Sequence, residues 1–239
     1  MLNIKPYKNK HNKKKQVEQM FDNIAPYYDN LNHILSFRMD VIWRRIATKY
    51  INNNPKKILD IATGTGDFAL SIAKHTNAQI IGVDISHEMM EIGKKKIKNK
   101  QLSNRISLQI GDGEKLSFQD NSFDAITSGF GIRNFENIDK GLSECYRTLK
   151  KDGILIILEP GMPSIPILKQ IYTLYFSYLM PWLGKMISRD KNAYQYLRNS
   201  VKAFPMKNDF LKTLSKTGFK QCKHRSITFG IASLYYAIK

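Results

Sequence analysis

Five short apolar runs alternate with helical stretches, and a glycine-rich turn follows the first of them. Ile58–Ala62 reads as a short strand ending in Thr63-Gly64-Thr65-Gly66, and Asp67–Lys74 then reads as a helix. Gln79–Val83 is a second strand ending in Asp84, and Ser86 is a good N-cap for a helix running to about Lys100. Ile106–Ile110 ends at Gly111-Asp112, and Phe123–Ser128 ends at Gly129-Phe130-Gly131. A helix over Ile138–Leu149 and a turn at Lys150–Gly153 precede the fifth strand, Ile154–Leu158. Strands that are apolar throughout, separated by helices, are those of a parallel sheet covered on both faces. The rhythm breaks at the end. After a helical Phe210–Thr217, Phe219–Thr228 and Ile231–Ile238 read as a closing pair of strands. The fold class is therefore α/β: a doubly wound, mostly parallel sheet of seven strands with an antiparallel C-terminal edge strand and N-terminal helices.

With 239 residues, 42% hydrophobic and 24% charged, the chain can bury one sizeable core. Its formal charge of +18 first raises the question of a polyanionic partner. Residues 51–159 are nearly neutral, with 15 basic and 14 acidic side chains, whereas 160–239 carry 13 and 2 and residues 1–50 carry 10 and 4. Abundant Lys, Asn and Ile also match the bias of an AT-rich genome. Two cysteines, Cys145 and Cys222, make neither a disulfide framework nor a metal cluster. No apolar run follows the N-terminal lysines, so no secretory signal is read and a cytoplasmic location is expected. Ile165–Gly184 is apolar and aromatic, with prolines near its ends, and reads as a buried or surface-lying amphipathic helix. The expected layout is a basic, mobile start over 1–16 and a single domain over 17–239. Within it lie a helical cap (17–50, with a polar break around Asp29–Asn32), a cofactor-binding core (51–160), a helical insertion on the substrate side (161–205), and a closing helix with its strand pair (206–239).

In open α/β sheets, ligands bind beyond the carboxyl ends of the strands near the switch point. Asp60, Gly64–Gly66, Asp84, Asp112 and Gly129–Asn134 all collect at those ends. Gly64-Thr65-Gly66-Asp67-Phe68-Ala69 fits the formal G-x-G-x-x-[GA] dinucleotide fingerprint, with Asp84 placed to accept from ribose hydroxyls. Asp60 and Asp67 argue against a pyrophosphate, because they put negative charge where a phosphate needs bare N–H groups. A cationic ligand would welcome them. Asp112 can accept from an adenine amino group. S-adenosylmethionine, with its sulfonium, ammonium, ribose and adenine, fits this set.

Ile58–Gly66 resembles the first motif of class I methyltransferases, whose sheet is Rossmann-like. More narrowly, the chain resembles the demethylmenaquinone and polyprenyl-benzoquinol C-methyltransferase family. The likeness is carried by Phe21–Asn32, Leu35-Ser36, Trp43-Arg44-Arg45, Leu59–Asp67, Asp120–Asp124, Phe130–Asn134, Arg147–Lys150, Ala193–Leu197, Ser200-Val201 and Ala203-Phe204-Pro205. The resemblance implies S-adenosylmethionine as methyl donor, contacted by Thr65, Asp84, Asp112 and Gly113, to which the reading of the strand ends adds Asp60, Gly64, Gly66 and Gly129. The family often has Ser where Gly129 stands, and many relatives have His at the place of Asp40. The implied acceptor is a ring carbon of an isoprenoid quinol, demethylmenaquinol first and a benzoquinol as the alternative, with no metal required.

Such a reaction needs alignment of the reacting carbon and a group that helps deprotonate the phenol. Tyr28, Asp29 and His33 are the candidates for that group, and Arg133, Asn134 and Tyr194 for binding the acceptor. An RNA methyltransferase is the competing class. It lacks support, because no Asn/Asp-Pro-Pro-aromatic run follows the fourth strand and neither cysteine follows a proline. A nicotinamide enzyme and a non-catalytic binding protein are the remaining alternatives. Basic flanks around an aromatic helix would suit transient docking on an anionic membrane surface, while homo-oligomer formation stays open.

Overall fold

A parallel sheet must have its crossovers covered, and the chain does so with helices on both faces. The computed structural model describes residues 4–175, 177 and 191–239. Helices α1 (Lys13–Leu35) and α2 (Met39–Thr48) precede β1 (Lys57–Ile61), α3 (Asp67–Ala73), β2 (Gln79–Asp84), α4 (His87–Asn99) and β3 (Ile106–Ile110). Then follow β4 (Phe123–Gly129), α5 (Ile138–Thr148), β5 (Leu149–Pro160) and α6 (Pro166–Leu174). The chain closes with α7 (Lys191–Ala203), α8 (Asn208–Thr217), β6 (Lys220–Ile227) and β7 (Ala232–Ile238). The seven strands run in the order β3-β2-β1-β4-β5-β7-β6. β7 runs antiparallel to both its neighbours, β5 and β6, and lies inside β6, which takes the outer edge. Chain order reverses between β1 and β4, so the switch point of the sheet falls there.

Three apolar clusters build the molecule. One joins the strands to α2 and α3 through Trp43, Ala47, Phe68 and Ile72. A second joins the other face to α5 and α8 through Leu142, Phe210 and Leu214. The third lies under α1, where Met20, Ile24 and Leu31 meet Met89 of α4 and Tyr194 and Tyr196 of α7.

Three expectations need correction. The helical cap does not break at Asp29–Asn32; α1 runs through it and ends at Ser36. The break comes at Phe37 and Arg38, both left-handed at φ 52 and 60, and Ser36 Oγ donates to Asp40 Oδ1 at 2.7 Å across the turn. The basic start is not wholly solvated. Lys13 is buried, with Nζ donating to the carbonyls of Phe135 at 2.5 Å and Arg133 at 3.2 Å. Gln16 is fully buried and accepts from the Tyr7 N–H at 2.8 Å. Residues 150–153, read as a turn, belong to β5, with a register shift and Asp152 at φ 60 absorbing the irregularity. Of the aromatic stretch from Ile165 to Gly184, α6 lies on the surface with no buried residue. Residues 176 and 178–184 lie outside the described part. Among the described residues no helix is long and apolar enough to cross a membrane.

One packing detail positions the site. The Phe135 ring is gripped between two glycines: a Cβ on Gly113 would lie 2.6 Å from it and a Cβ on Gly141 2.3 Å. Gly141 sits within α5, where alanine would ordinarily gain about 1 kcal/mol. Gly141→Ala is therefore expected to destabilise by about 1–3 kcal/mol in urea unfolding, against its helix propensity. A stabilised variant would contradict the grip on Phe135.

Candidate active site

Two cavities open beyond the carboxyl ends of β1, β2 and β4. The first is a narrow cleft whose floor is Gly64, Asp84, Asp112, Gly113 and Gly129, with Lys14, Val17, Phe21 and Tyr28 of α1 as its roof. The second is wider, about 510 Å³, and mainly apolar, bounded by α1, α2, α6 and α7. Phe21, Tyr28, Phe130 and Asn134 line both, so the two spaces meet at these four side chains.

The cleft offers acceptors. Asp84 takes the Gly64 N–H at 2.8 Å and the Ser86 N–H at 2.9 Å, which fixes its carboxylate at the end of β2. Burial pushes its carboxyl above the ordinary range while those N–H groups pull it down. Asp112 accepts from the Glu114 N–H at 2.9 Å and from Lys14 Nζ at 2.6 Å. At Gly64, φ is +57 and nothing lies within 4 Å of where a Cβ would stand, so the backbone faces free space. Carboxylates and glycines, with Lys14 the one cation among the described lining residues, suit hydroxyl, amino and cationic donors and are ill suited to a pyrophosphate. S-adenosylmethionine fits this donor set.

Not every expected cofactor residue faces the cleft. Asp60 is fully buried, and both its oxygens are taken by hydroxyls, Thr63 and Thr127 each donating at 2.6 Å. It ties β1 to β4 beneath the glycine turn. Gly66 is the left-handed cap of α3, packed near Ile97 and Leu108. Thr65 points toward α1, where its hydroxyl donates to Asp29 Oδ1 at 2.6 Å.

That bond enters a polar cluster between α1 and the glycine turn. Lys96 Nζ reaches Asp29 Oδ2 at 2.8 Å and also binds Asp67. Arg44 Nη1 binds Asp40 Oδ2 at 2.6 Å, and His33 Nδ1 lies 3.0 Å from the same oxygen. Burial would raise the Asp40 carboxyl, but Arg44 beside it holds it below the ordinary range. Burial would likewise weaken the charge of Arg44, and Asp67 and Asp40 reverse that. His33, Asp40 and Asp67 approach within 4.8 Å of one another, with Arg44 and Lys96 supplying the compensating charge. Of the three candidates for the base, Asp29 and His33 thus sit in this cluster and line neither cavity. Tyr28 stands at the junction, and burial holds its hydroxyl protonated.

The acceptor candidates all line the wide cavity. Arg133 donates from Nη1 to Glu159 Oε2 at 2.9 Å and to the Phe130 carbonyl, while its Nε has no partner among the described residues. Asn134 Nδ2 donates to the Phe130 carbonyl at 3.3 Å, and its buried Oδ1 has no partner among the described residues. Tyr194 is buried in the wall. Sequence reading singled out neither Lys14, Phe21, Phe130 nor Arg44 as a site residue. For Arg44 a signal existed: Asp40 and Arg44 are four apart, the spacing of a helical ion pair. Cys145 is buried with its thiol pushed up to about 12, which leaves no nucleophile there.

Comparison with known proteins agrees with this geometry. Residues 8–239 match the ubiE/COQ5 methyltransferase family. A demethylmenaquinone methyltransferase of Bacteroides fragilis is 50% identical over 238 residues, covering 99% of this chain and 97% of its own. A protein of Citrifermentans bemidjiense named ubiquinone/menaquinone biosynthesis C-methyltransferase UbiE is 44% identical over 230 residues, covering 95% and 97%. Among solved structures, an S-adenosylmethionine-dependent methyltransferase of Thermotoga maritima superposes with a TM-score of 0.64 at 20% identity, covering 92% and 99%. That last likeness speaks for the fold.

Burial also pushes Asp60 up to about 6, against the hydroxyls of Thr127 and Thr63, which pull it down. The folded state then holds a proton that the unfolded chain releases near its ordinary value of 3.8. This group's contribution is full below that value, falls as pH rises to about 6, and is constant above. The melting temperature of Asp60→Asn minus that of the wild type should therefore rise between pH 4 and 6 and then level. A difference that falls over that window would contradict the assignment.

Proposed function

The chain belongs to the ubiE/COQ5 methyltransferase family, and from that premise we propose that it transfers a methyl group from S-adenosylmethionine to a ring carbon of demethylmenaquinol, giving menaquinol. The observation that carries this reading is the meeting of a carboxylate-lined cleft with a wide apolar cavity at Tyr28, Phe130 and Asn134. A methyl acceptor with a polar ring and a long isoprenoid tail matches such a cavity, ring inward and tail toward the mouth.

S-adenosylmethionine, when bound in the cleft, supplies the electrophilic methyl group. Asp84 and Asp112 would hold it by its hydroxyl and amino groups, with Lys14 yielding its hold on Asp112. Phe21 and Phe130 keep water from the junction. Arg133, which lines the wide cavity and pairs with Glu159, sets positive charge beside the ring oxygen. That charge favours the ionised phenol and so makes the neighbouring ring carbon a better nucleophile. Tyr28 serves as a hydrogen-bonding group, since burial keeps its own proton in place.

The cavity mouth supports docking on a membrane surface. Phe37, Ile171 and Phe229 line the cavity and are 79%, 59% and 70% exposed. Exposed Arg38 and Lys169 adjoin them in sequence. An apolar rim with cations beside it suits an anionic bilayer, at about 1 kcal/mol per well-placed cation. The enzyme then takes its lipid-dissolved substrate at the cytoplasmic face.

Purified protein with tritiated S-adenosylmethionine should label demethylmenaquinol, and Arg133→Lys should lower the rate about 100-fold with donor affinity little changed. No label in either demethylmenaquinol or the corresponding benzoquinol would sink the reading. The double variant Phe37→Ser, Phe229→Ser should lose about fivefold in co-sedimentation with vesicles rich in phosphatidylglycerol. Wild-type sedimentation indifferent to anionic lipid would contradict the docking.

A further inference from the structure

One end of the narrow cleft is held by a cation of the chain itself. Lys14 and Asp112 both line the cleft, and their side chains are 29% and 30% exposed, so ligand and water can reach each of them. Lys14 Nζ donates to Asp112 Oδ2 at 2.6 Å, while Oδ1 accepts from the Glu114 N–H at 2.9 Å. The backbone bond fixes the carboxylate just past the end of β3, whereas its other oxygen is held by a flexible four-carbon stem. The cleft measures about 60 Å³ against about 510 Å³ for the wide cavity, so the lysine takes up room as well as an acceptor. A donor that uses Asp112 has to move it.

The surroundings give the ammonium a second place to stand. Glu114 Oε1 lies 3.9 Å from Lys14 Nζ. Glu114 is buried, and its oxygens accept from the Glu136 N–H at 2.8 Å and the Asn137 N–H at 3.1 Å, which leaves lone pairs for a cation. The helix that carries Lys14 need not shift for the exchange. Asn12 caps α1 through the Lys15 N–H at 3.0 Å, and the Lys13 N–H donates to Glu136 Oε1 at 3.1 Å. Lys13 Nζ adds its bonds to the carbonyls of Phe135 and Arg133. The backbone on either side is thus anchored, and the Lys14 side chain turns about its own bonds.

Resting on the donor assignment above, we propose that Lys14 gates the donor cleft: its ammonium competes with the adenine amino group for Asp112 and passes to Glu114 when the donor binds. The exchange replaces one ion pair by another, so no charge is stranded. Freeing Asp112 still costs part of a half-exposed ion pair, worth about threefold in affinity. The gate has a signature of its own. Salt weakens an ion pair that water reaches. A ligand of the donor site that carries no net charge therefore binds more tightly as salt rises, because its competitor is screened. A cleft without such a competitor has no reason to respond in that direction.

The test is calorimetry of the full chain with S-adenosylhomocysteine, which carries no net charge, at about 50 and about 500 mM potassium chloride. Wild-type affinity is expected to rise about twofold with salt, a reading that needs no variant. Lys14→Met should bind about threefold more tightly than the wild type at low salt and lose the salt response, while Lys14→Arg, which keeps a cation in reach of Asp112, stays near the wild type. Glu114→Gln should weaken binding about threefold in the wild-type background and leave Lys14→Met unaffected, a comparison in which any structural cost of the amide cancels. Lys14→Met binding no more tightly than the wild type, with methylation of demethylmenaquinol intact, would overturn this proposal alone. So would a wild-type affinity that falls with salt, or an equal loss from Glu114→Gln in both backgrounds. No binding by the wild type or by Lys14→Met, together with no methyl transfer, would overturn the proposal and the reading beneath it.

Discussion

Helix α1 is held across the carboxyl ends of the strands by a small set of half-buried charges, and both cavities depend on that attachment. Asp29 accepts from Thr65 of the glycine turn at 2.6 Å and from Lys96 of α4 at 2.8 Å. Farther toward its start, Asp22 accepts from Ser86 Oγ at 2.6 Å at the cap of α4. Past its end, Asp40 and Arg44 of α2 continue the network to Asp67, which also binds Lys96. Removing one member of such a set strands its partner's charge out of water, which typically costs about 3–5 kcal/mol in buried pairs. The same bonds place Phe21 and Tyr28 between the two cavities and Lys14 over Asp112. One helix thereby roofs the cleft and walls the larger space.

The two cavities divide the work by their chemistry. Acceptors dominate the cleft, where Asp84 and Asp112 stand at strand ends whose geometry the sheet fixes. Apolar walls dominate the other, with polar lining from Asp40 and Arg44 of α2 and from Arg133 and Asn134 after β4. The +18 charge has little part in either. Lys13, Lys14, Lys96, Arg44 and Arg133 are spent within the molecule, on carbonyls and carboxylates. What is left of the excess lies on the surface of the flanking segments, where Arg38 and Lys169 adjoin the cavity mouth.

Much of the sheet was legible in the sequence because strands buried on both faces are apolar along their whole length. Ile58, Leu59 and Ile61, or Ile154 through Leu158, announce themselves whatever packs on them. The acidic residues at strand ends followed from the same rhythm, and five of the eight expected cofactor residues line the cleft. Asp60 and Thr65 were less accessible to that reasoning. Their position in the motif is visible, but whether a side chain turns to the ligand or to Thr127 or Asp29 is a tertiary fact. Helix α1 was misread for a related reason. Asp29 and Asn32 interrupt an apolar pattern, and periodicity records their polarity without showing the partner that makes a polar residue welcome inside. Tyr196 sits three residues past Ala193 in a recognisable stretch, yet only the structure shows it buried in the cavity wall.

The central claim is that donor and acceptor meet at Tyr28, Phe130 and Asn134. A crystal structure of the protein with S-adenosylhomocysteine and a short-tailed demethylmenaquinol tests it most directly. The account predicts the ring against Arg133 and Asn134, its tail leaving past Phe37 and Ile171, and the adenosine at Asp84 and Asp112. A ring bound outside the wide cavity, or a nucleoside bound away from those two carboxylates, would contradict it.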